Sequence, residues 1–136
     1  MIVGVGCDII EIERIARAIK SESFIRRVFT AEEAAYCQRR GQQAAASFAA
    51  RFAAKEAVLK ALGTGLREGS LQEIAVDNDG LGKPLVQLSG HFAMLAKQLG
   101  VKNIQISLSH SRELATAYVI CLLYTSPSPR DPKTSR

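Results

Sequence analysis

RFAAKEAVLKALGTG, residues 51–65, combines a run of helix formers with four charges and a glycine-rich exit. From Ala44 to Leu62 nearly every residue is a strong helix former, Gly and Pro are missing, and Gly63 supplies a stop, which predicts a helix over 44–62. Phe48, Phe52, Leu59 and Leu62 recur near the 3.6-residue period, and alanines fill most other positions, so neighbouring backbones can approach closely. A helix of this composition belongs at the centre of a fold. Arg51, Lys55, Glu56 and Lys60 interrupt it, and charges on a largely buried helix are costly unless paired, hydrated or bound to a ligand. Glu56 and Lys60, four apart, share a face. They fit either an ordinary Glu–Lys ion pair above a glycine cap, or a carboxylate holding a hard cation beside an ammonium that neutralises the same phosphate. In the second case Gly63, Thr64 and Gly65 bring backbone N–H groups to that ligand.

With 136 residues, 47% hydrophobic and 23% charged, the chain has the length of one globular domain with a core of its own. No apolar run approaches a membrane span, and the N-terminus lacks the basic start and small-residue cleavage site of a signal peptide. A cytoplasmic protein with no membrane role is expected. Cys7, Cys37 and Cys121 are odd in number and widely spaced, which predicts free thiols and no CxxC metal site. The net charge is +5, of which residues 124–136 supply +2. So mild an excess suits a phosphate ligand or an acidic partner without requiring nucleic acid.

Residues 1–10, MIVGVGCDII, alternate and are rich in β-branched side chains, which predicts a strand. Asp8 near its end reads as an N-cap for the next element or as a metal ligand, because aspartate is disfavoured inside strands. Cys7 must point to the other face and is expected in the core. Helical spacing follows through Ile12, Ile15, Ala16 and Ile19, breaks at 21–23, and resumes at Phe24, Ile25, Val28 and Phe29. Basic side chains between residues 14 and 27 form a cluster, which a solvated helix face also explains. Thr30-Ala-Glu-Glu33 is a capping box that opens a helix toward Arg40, with Tyr36 and Cys37 inward. Strands at 74–76 and 85–88 flank NDGLGKP, a hairpin connection. Ser89-Gly90 opens a helix with Phe92, Leu95, Ala96 and Leu99 on one face and His91 at the surface, and Gly100 stops it. Strands at 103–109 and 114–123 meet in a turn at 110–113. His110 at that strand end suits phosphate binding, proton relay or a plain turn role.

Four segments together carry a resemblance: GVGCDIIEIERI near the start, RFAAKEAVLKALGTG in the middle, NDGLGKPLV in the hairpin and ISLSHS near the end. In order and spacing they resemble the holo-[acyl-carrier-protein] synthase family, small bacterial 4'-phosphopantetheinyl transferases, over about residues 1–120. The resemblance implies an α+β fold, a small antiparallel sheet packed with a long central helix, assembled as a homotrimer with active sites between subunits. It implies an enzyme of fatty acid biosynthesis, which transfers the phosphopantetheine arm of coenzyme A to a serine of apo acyl carrier protein and releases adenosine 3',5'-bisphosphate. Mg²⁺ is the implied metal, with Asp8 and Glu56 as its ligands and water and substrate pyrophosphate completing the octahedron. Lys60 becomes a phosphate contact and, with Asp8 and Glu56, part of the catalytic set. Gly63, Thr64 and Gly65 become a loop against the nucleotide, and Arg51 and His110 match positions that contact the nucleotide or its phosphates. Arg14, Lys20 and Arg27 fall where the family docks the acidic helix of the carrier protein. The base for the serine proton stays open between Glu56 and a metal-bound water.

The resemblance ends before YTSPSPRDPKTSR, residues 124–136, which has three prolines and no apolar pattern and is expected to be disordered, non-native sequence appended to a transferase domain of residues 1–123. Two other classes compete: a non-catalytic coenzyme A or carrier-protein module, against which Asp8, Glu56 and Lys60 argue, and a nucleic-acid-binding domain. The second would interleave aromatics on its basic face, whereas aromatics are 6% and Trp is absent.

Overall fold

The alternating, β-branched N-terminus forms β1, Ile2–Glu11, and the helix formers of the middle segment form α4, Ala44–Leu62. Between them lie three short helices, α1 (Ile12–Ala18), α2 (Glu22–Val28) and α3 (Ala31–Gln38). After α4 come a hairpin of β2 (Ile74–Asn78) and β3 (Pro84–Leu88), then α5 (Gly90–Leu99), β4 (Asn103–His110) and β5 (Leu114–Leu122). The computed structural model describes residues 1–65 and 68–123, and the stretch expected to be a disordered tail lies outside the described residues.

Local chemistry sets the helix ends. Ser21 caps α2 by accepting the Phe24 N–H, so this helix starts inside the expected break at 21–23. At α3 the capping box is complete: Thr30 Oγ1 accepts the Glu33 N–H at 3.0 Å and Glu33 Oε1 accepts the Thr30 N–H at 2.8 Å. Gly63 ends α4 in the left-handed region at φ 74°, where a side chain would be strained.

The sheet runs β1-β5-β4, fully antiparallel, with Asp8 opposite Ala117 and His110 opposite Ala115. Its inner face carries Gly4, Gly6, Asp8 and Ile10 from β1, Ala115, Ala117, Val119 and Cys121 from β5, and Ile106 from β4. Such small residues let α4 lie almost on the strands. A Cβ at Gly4 would overlap the Ala61 carbonyl oxygen, and one at Gly6 the Ala57 carbonyl oxygen. α4 is therefore buried around most of its circumference, as its alanine content suggests.

Three sequence expectations need correction. Cys7 is exposed, because the outer sheet face it shares with Val5 and Ile9 is uncovered in the single chain. His91 is half-buried, its ring packed edge-on against Phe92 and 3.6 Å from Glu68. Leu99, at the last turn of α5, is exposed and lies outside the core that Phe92 and Ala96 join.

Gly6→Ala should destabilise the fold by about 1–3 kcal/mol or more, since the added methyl meets helix backbone that cannot rotate away. Gly80→Ala, where a Cβ meets open space, is the control. Chemical denaturation of both variants would test this; equal midpoints would mean β1 and α4 are not in close contact.

Candidate active site

Asp8 reaches its position because it is the third residue, after Gly4 and Gly6, on the β1 face that lies against α4. There it meets the C-terminal half of the helix. Lys60 Nζ donates to Asp8 Oδ1 and to the Cys7 carbonyl, both at 3.0 Å. The ion pair of Lys60 thus spans 52 residues of sequence, and the local Glu56–Lys60 pair is not the one formed. Accepting this hydrogen bond, Asp8 raises the Lys60 pKa.

Glu56, half-buried on the same side of α4, has its pKa pushed up, first by burial and then by the Asp8 carboxylate, with Lys60 and Arg14 pulling the other way. The folded chain therefore holds this proton more tightly than the unfolded chain does. The group favours folding below its unfolded pKa, and that contribution is lost as pH rises through the folded pKa. Two neighbouring carboxylates form a hard-oxygen donor pair of the kind that suits a hard divalent cation. Among the described residues no group of three or more His, Cys, Asp or Glu side chains is placed to hold a metal, so a cation here would need oxygens from elsewhere.

Arg51 sits apart from this trio. It lies nine positions before Lys60, which turns the side chains about 180° from each other around α4. Its guanidinium lies over the Tyr36 ring at 4.3 Å, Nη2 donates to Asn78 Oδ1, Nη1 reaches Ser47 Oγ at 3.4 Å, and Nε has no partner among the described residues. His110, on the far edge strand β4, shares a cavity of about 130 Å³ with Arg51, Tyr36, Arg40 and Ser47. Asp8 and Lys60 instead line a cleft of about 270 Å³ with Ile9, Thr116 and Tyr118, residues of the outer sheet face. One chain thus presents two separate clusters on opposite flanks of one helix.

Gly63, Thr64 and Gly65 follow directly from the Lys60 turn, and the Thr64 N–H bonds back to the Leu59 carbonyl. Of the basic residues, Arg17 and Arg26 are engaged by Glu13 and Glu22 one turn earlier. Arg14, Lys20 and Arg27 are exposed with no carboxylate at ion-pair distance among the described residues, and Arg14 is near enough to Glu56 to affect its titration. Sequence reasoning missed Gly4 and Gly6, whose signal was two glycines two apart in a strand, a mark of close backbone approach. It also missed Tyr36 and Asn78 as partners of Arg51, for which no local signal exists.

Lys55, one residue before Glu56, is fully buried. Its Nζ donates to Glu33 Oε1 at 2.8 Å and to the Leu71 and Ile74 carbonyls at 2.9 and 2.7 Å. Burial pulls its pKa down while Glu33 works against that. The other carboxylate oxygen, Glu33 Oε2, accepts the Val76 N–H at 2.7 Å, so both charges are enclosed by hydrogen bonds.

The chain is similar to known proteins over most of its length. The family model of the 4'-phosphopantetheinyl transferase superfamily matches residues 4–122. The holo-[acyl-carrier-protein] synthase of Fusobacterium nucleatum is 46% identical over 123 residues, covering 90% of this chain and 100% of that protein. Among solved structures, the holo-[acyl-carrier-protein] synthase of Neisseria meningitidis superimposes with a TM-score of 0.81 at 34% identity, covering 90% of this chain and 99% of that one. The holo-(acyl-carrier-protein) synthase of Bacillus anthracis in complex with CoA (3',5'-ADP) gives a TM-score of 0.74 at 38% identity over 89% of this chain and 96% of that one.

Asp8→Asn should lower the titration midpoint of Glu56 while leaving it above the ordinary carboxyl value, because the charge is removed and the burial remains. Side-chain ¹³C NMR titration reads this directly. An unmoved midpoint would show that the two carboxylates do not interact.

Proposed function

The chain belongs to the 4'-phosphopantetheinyl transferase superfamily, and from that premise we propose that it transfers the 4'-phosphopantetheine group of coenzyme A to a serine of apo acyl carrier protein, for fatty acid biosynthesis. The serine oxygen forms a bond to the phosphorus on the pantetheine side of the pyrophosphate. The bond from that phosphorus to the bridging oxygen breaks, adenosine 3',5'-bisphosphate leaves, and the serine proton passes to a base. The observation that carries the proposal is the meeting of Asp8, Glu56 and Lys60 where β1 crosses α4.

In this reading Asp8 and Glu56 hold Mg²⁺, which when bound offsets the charge of the pyrophosphate. Lys60 keeps one flank of the site positive, and its exposed ammonium, which donates to Asp8, is the group that contacts a phosphate of the substrate. Gly63, Thr64 and Gly65 border the nucleotide. Arg51 and His110 contact the nucleotide or phosphates of a coenzyme A bound to the neighbouring subunit of a homotrimer. Two features support that assembly. Val5, Ile9 and Tyr118, each about 60% exposed, form an apolar outer face that a single chain leaves to water. The Asp8–Lys60 cleft opens onto Ile9 and Tyr118, so a partner seated there would border the site. Residues 1–123 form the transferase domain, and the protein works in the cytoplasm; no helix among the described residues is long and apolar enough to cross a membrane. Arg14, Lys20 and Arg27 receive the acidic carrier protein.

Intact-mass spectrometry of apo acyl carrier protein with coenzyme A and Mg²⁺ should show a gain of one phosphopantetheine, abolished by EDTA and by Glu56→Gln. No gain with folded wild-type protein would reject the transferase reading. Mixing Glu56→Gln with His110→Ala subunits should restore part of the activity if sites are shared between chains, whereas no recovery from mixed oligomers would place each site within one chain. Arg14→Glu with Arg27→Glu should raise KM for the carrier by about tenfold at low salt and flatten its salt dependence, without changing KM for coenzyme A. An unaltered salt profile would remove these residues from the docking surface.

A further inference from the structure

Arg51 is 5% exposed, yet no carboxylate pairs with it among the described residues. Arginine presents five N–H donors in a rigid fork. Here one goes to Asn78 and a weaker one to Ser47, and the Nε–H edge has no partner among the described residues. A buried cation with unspent donors is costly unless an anion meets it. The fork is also immobilised from three directions: Tyr36 of α3 covers its face, Ser47 of α4 meets one end, and Asn78 of β2 the other. Asn78 is itself oriented, because its Nδ2 donates to the Gly82 carbonyl at 2.9 Å, which turns Oδ1 toward Arg51. Its amide accepts from Arg51 without bringing a charge. The guanidinium is held in place while no carboxylate of the described residues neutralises it by direct contact, although Glu32, Asp77 and Asp79 line the adjoining cavity.

We propose that Tyr36 and Asn78 are positioning residues for Arg51, and that together they set the affinity for the phosphorylated nucleotide half of coenzyme A. The inference rests on the nucleotide-contacting role proposed above for Arg51. Tyr36 supplies a ring face that holds the guanidinium plane, and a phenylalanine would serve equally. Asn78 supplies a neutral acceptor, for which an aspartate is the wrong replacement: it keeps an oxygen near Nη2 but neutralises the charge that the ligand needs.

The test is steady-state transfer kinetics with coenzyme A and apo acyl carrier protein, beside thermal unfolding, for Tyr36→Leu, Tyr36→Phe, Asn78→Ala, Asn78→Asp and Arg51→Ala. Tyr36→Leu should raise KM for coenzyme A by about fivefold, and Tyr36→Phe should restore it. Asn78→Ala should raise it by about tenfold and Asn78→Asp by at least as much, with kcat and KM for the carrier little changed in each. A merely structural role would instead leave KM for coenzyme A alone, or lower kcat and Tm while raising both KM values, and would make Tyr36→Phe no better than Tyr36→Leu. Either pattern overturns the inference. Should Asn78→Ala unfold, the Tyr36 pair and Asn78→Asp decide. The reading on which it rests fails separately, by an Arg51→Ala protein whose KM for coenzyme A equals that of wild type. If Arg51→Ala raises that KM while the Tyr36 and Asn78 variants do not, the positioning role alone is wrong.

Discussion

The contact between β1 and α4 is the constraint on which the rest depends. Gly4 and Gly6 lie against the carbonyl oxygens of Ala61 and Ala57 with no room for a side chain. That approach sets the height of the helix above the sheet, and alanines on both sides maintain it: Ala57 and Ala61 on α4, Ala115 and Ala117 on β5. Two residues beyond Gly6 on the same face, Asp8 is the first after the two glycines to carry a side chain. It meets Lys60 there. A packing requirement between two elements is thereby also what brings two distant charges together.

A second constraint holds the other end of the arrangement. Lys55 and Glu33 form a fully buried pair whose hydrogen bonds reach the start of α3, the turn at Leu71–Glu73 and the first residues of β2. A buried pair of this kind contributes little net stability against a well-packed apolar replacement, but losing one partner strands the other charge. Its effect is registration: the segment leaving the Gly63–Thr64–Gly65 loop returns to a defined place beside α4. Asn78, four residues after Ile74, then arrives within reach of Arg51. The hairpin and the central helix are joined twice, once by Lys55 and once by Arg51.

α4 consequently separates two chemistries. On one side it carries a carboxylate and an ammonium facing Asp8, and on the other a shielded guanidinium facing β4 and the hairpin. Lys60 reaches solvent near the C-terminal end of the helix, whereas Arg51 stays buried beside the His110 cavity.

Much of the local structure was legible in the residues. Helix formers from Ala44 to Leu62, closed by Gly63, mark α4 to the residue, and Thr30 with Glu33 marks the start of α3. The sequence by itself determined these because capping and periodicity act within a turn or two of chain. It also placed Cys7 and Asp8 on opposite faces of a strand, since side chains alternate. Which face is covered is a tertiary matter: α4 covers the Asp8 side, and Cys7 is left outside. Lys60 likewise had a carboxylate four residues away and another 52 residues away, and only packing chose Asp8. The second role of Glu33, beyond its cap, and the hold of Tyr36 and Asn78 on Arg51 were decided in the same way. Local propensity sets what each segment becomes, whereas the pairing of buried charges depends on which segments are pressed together.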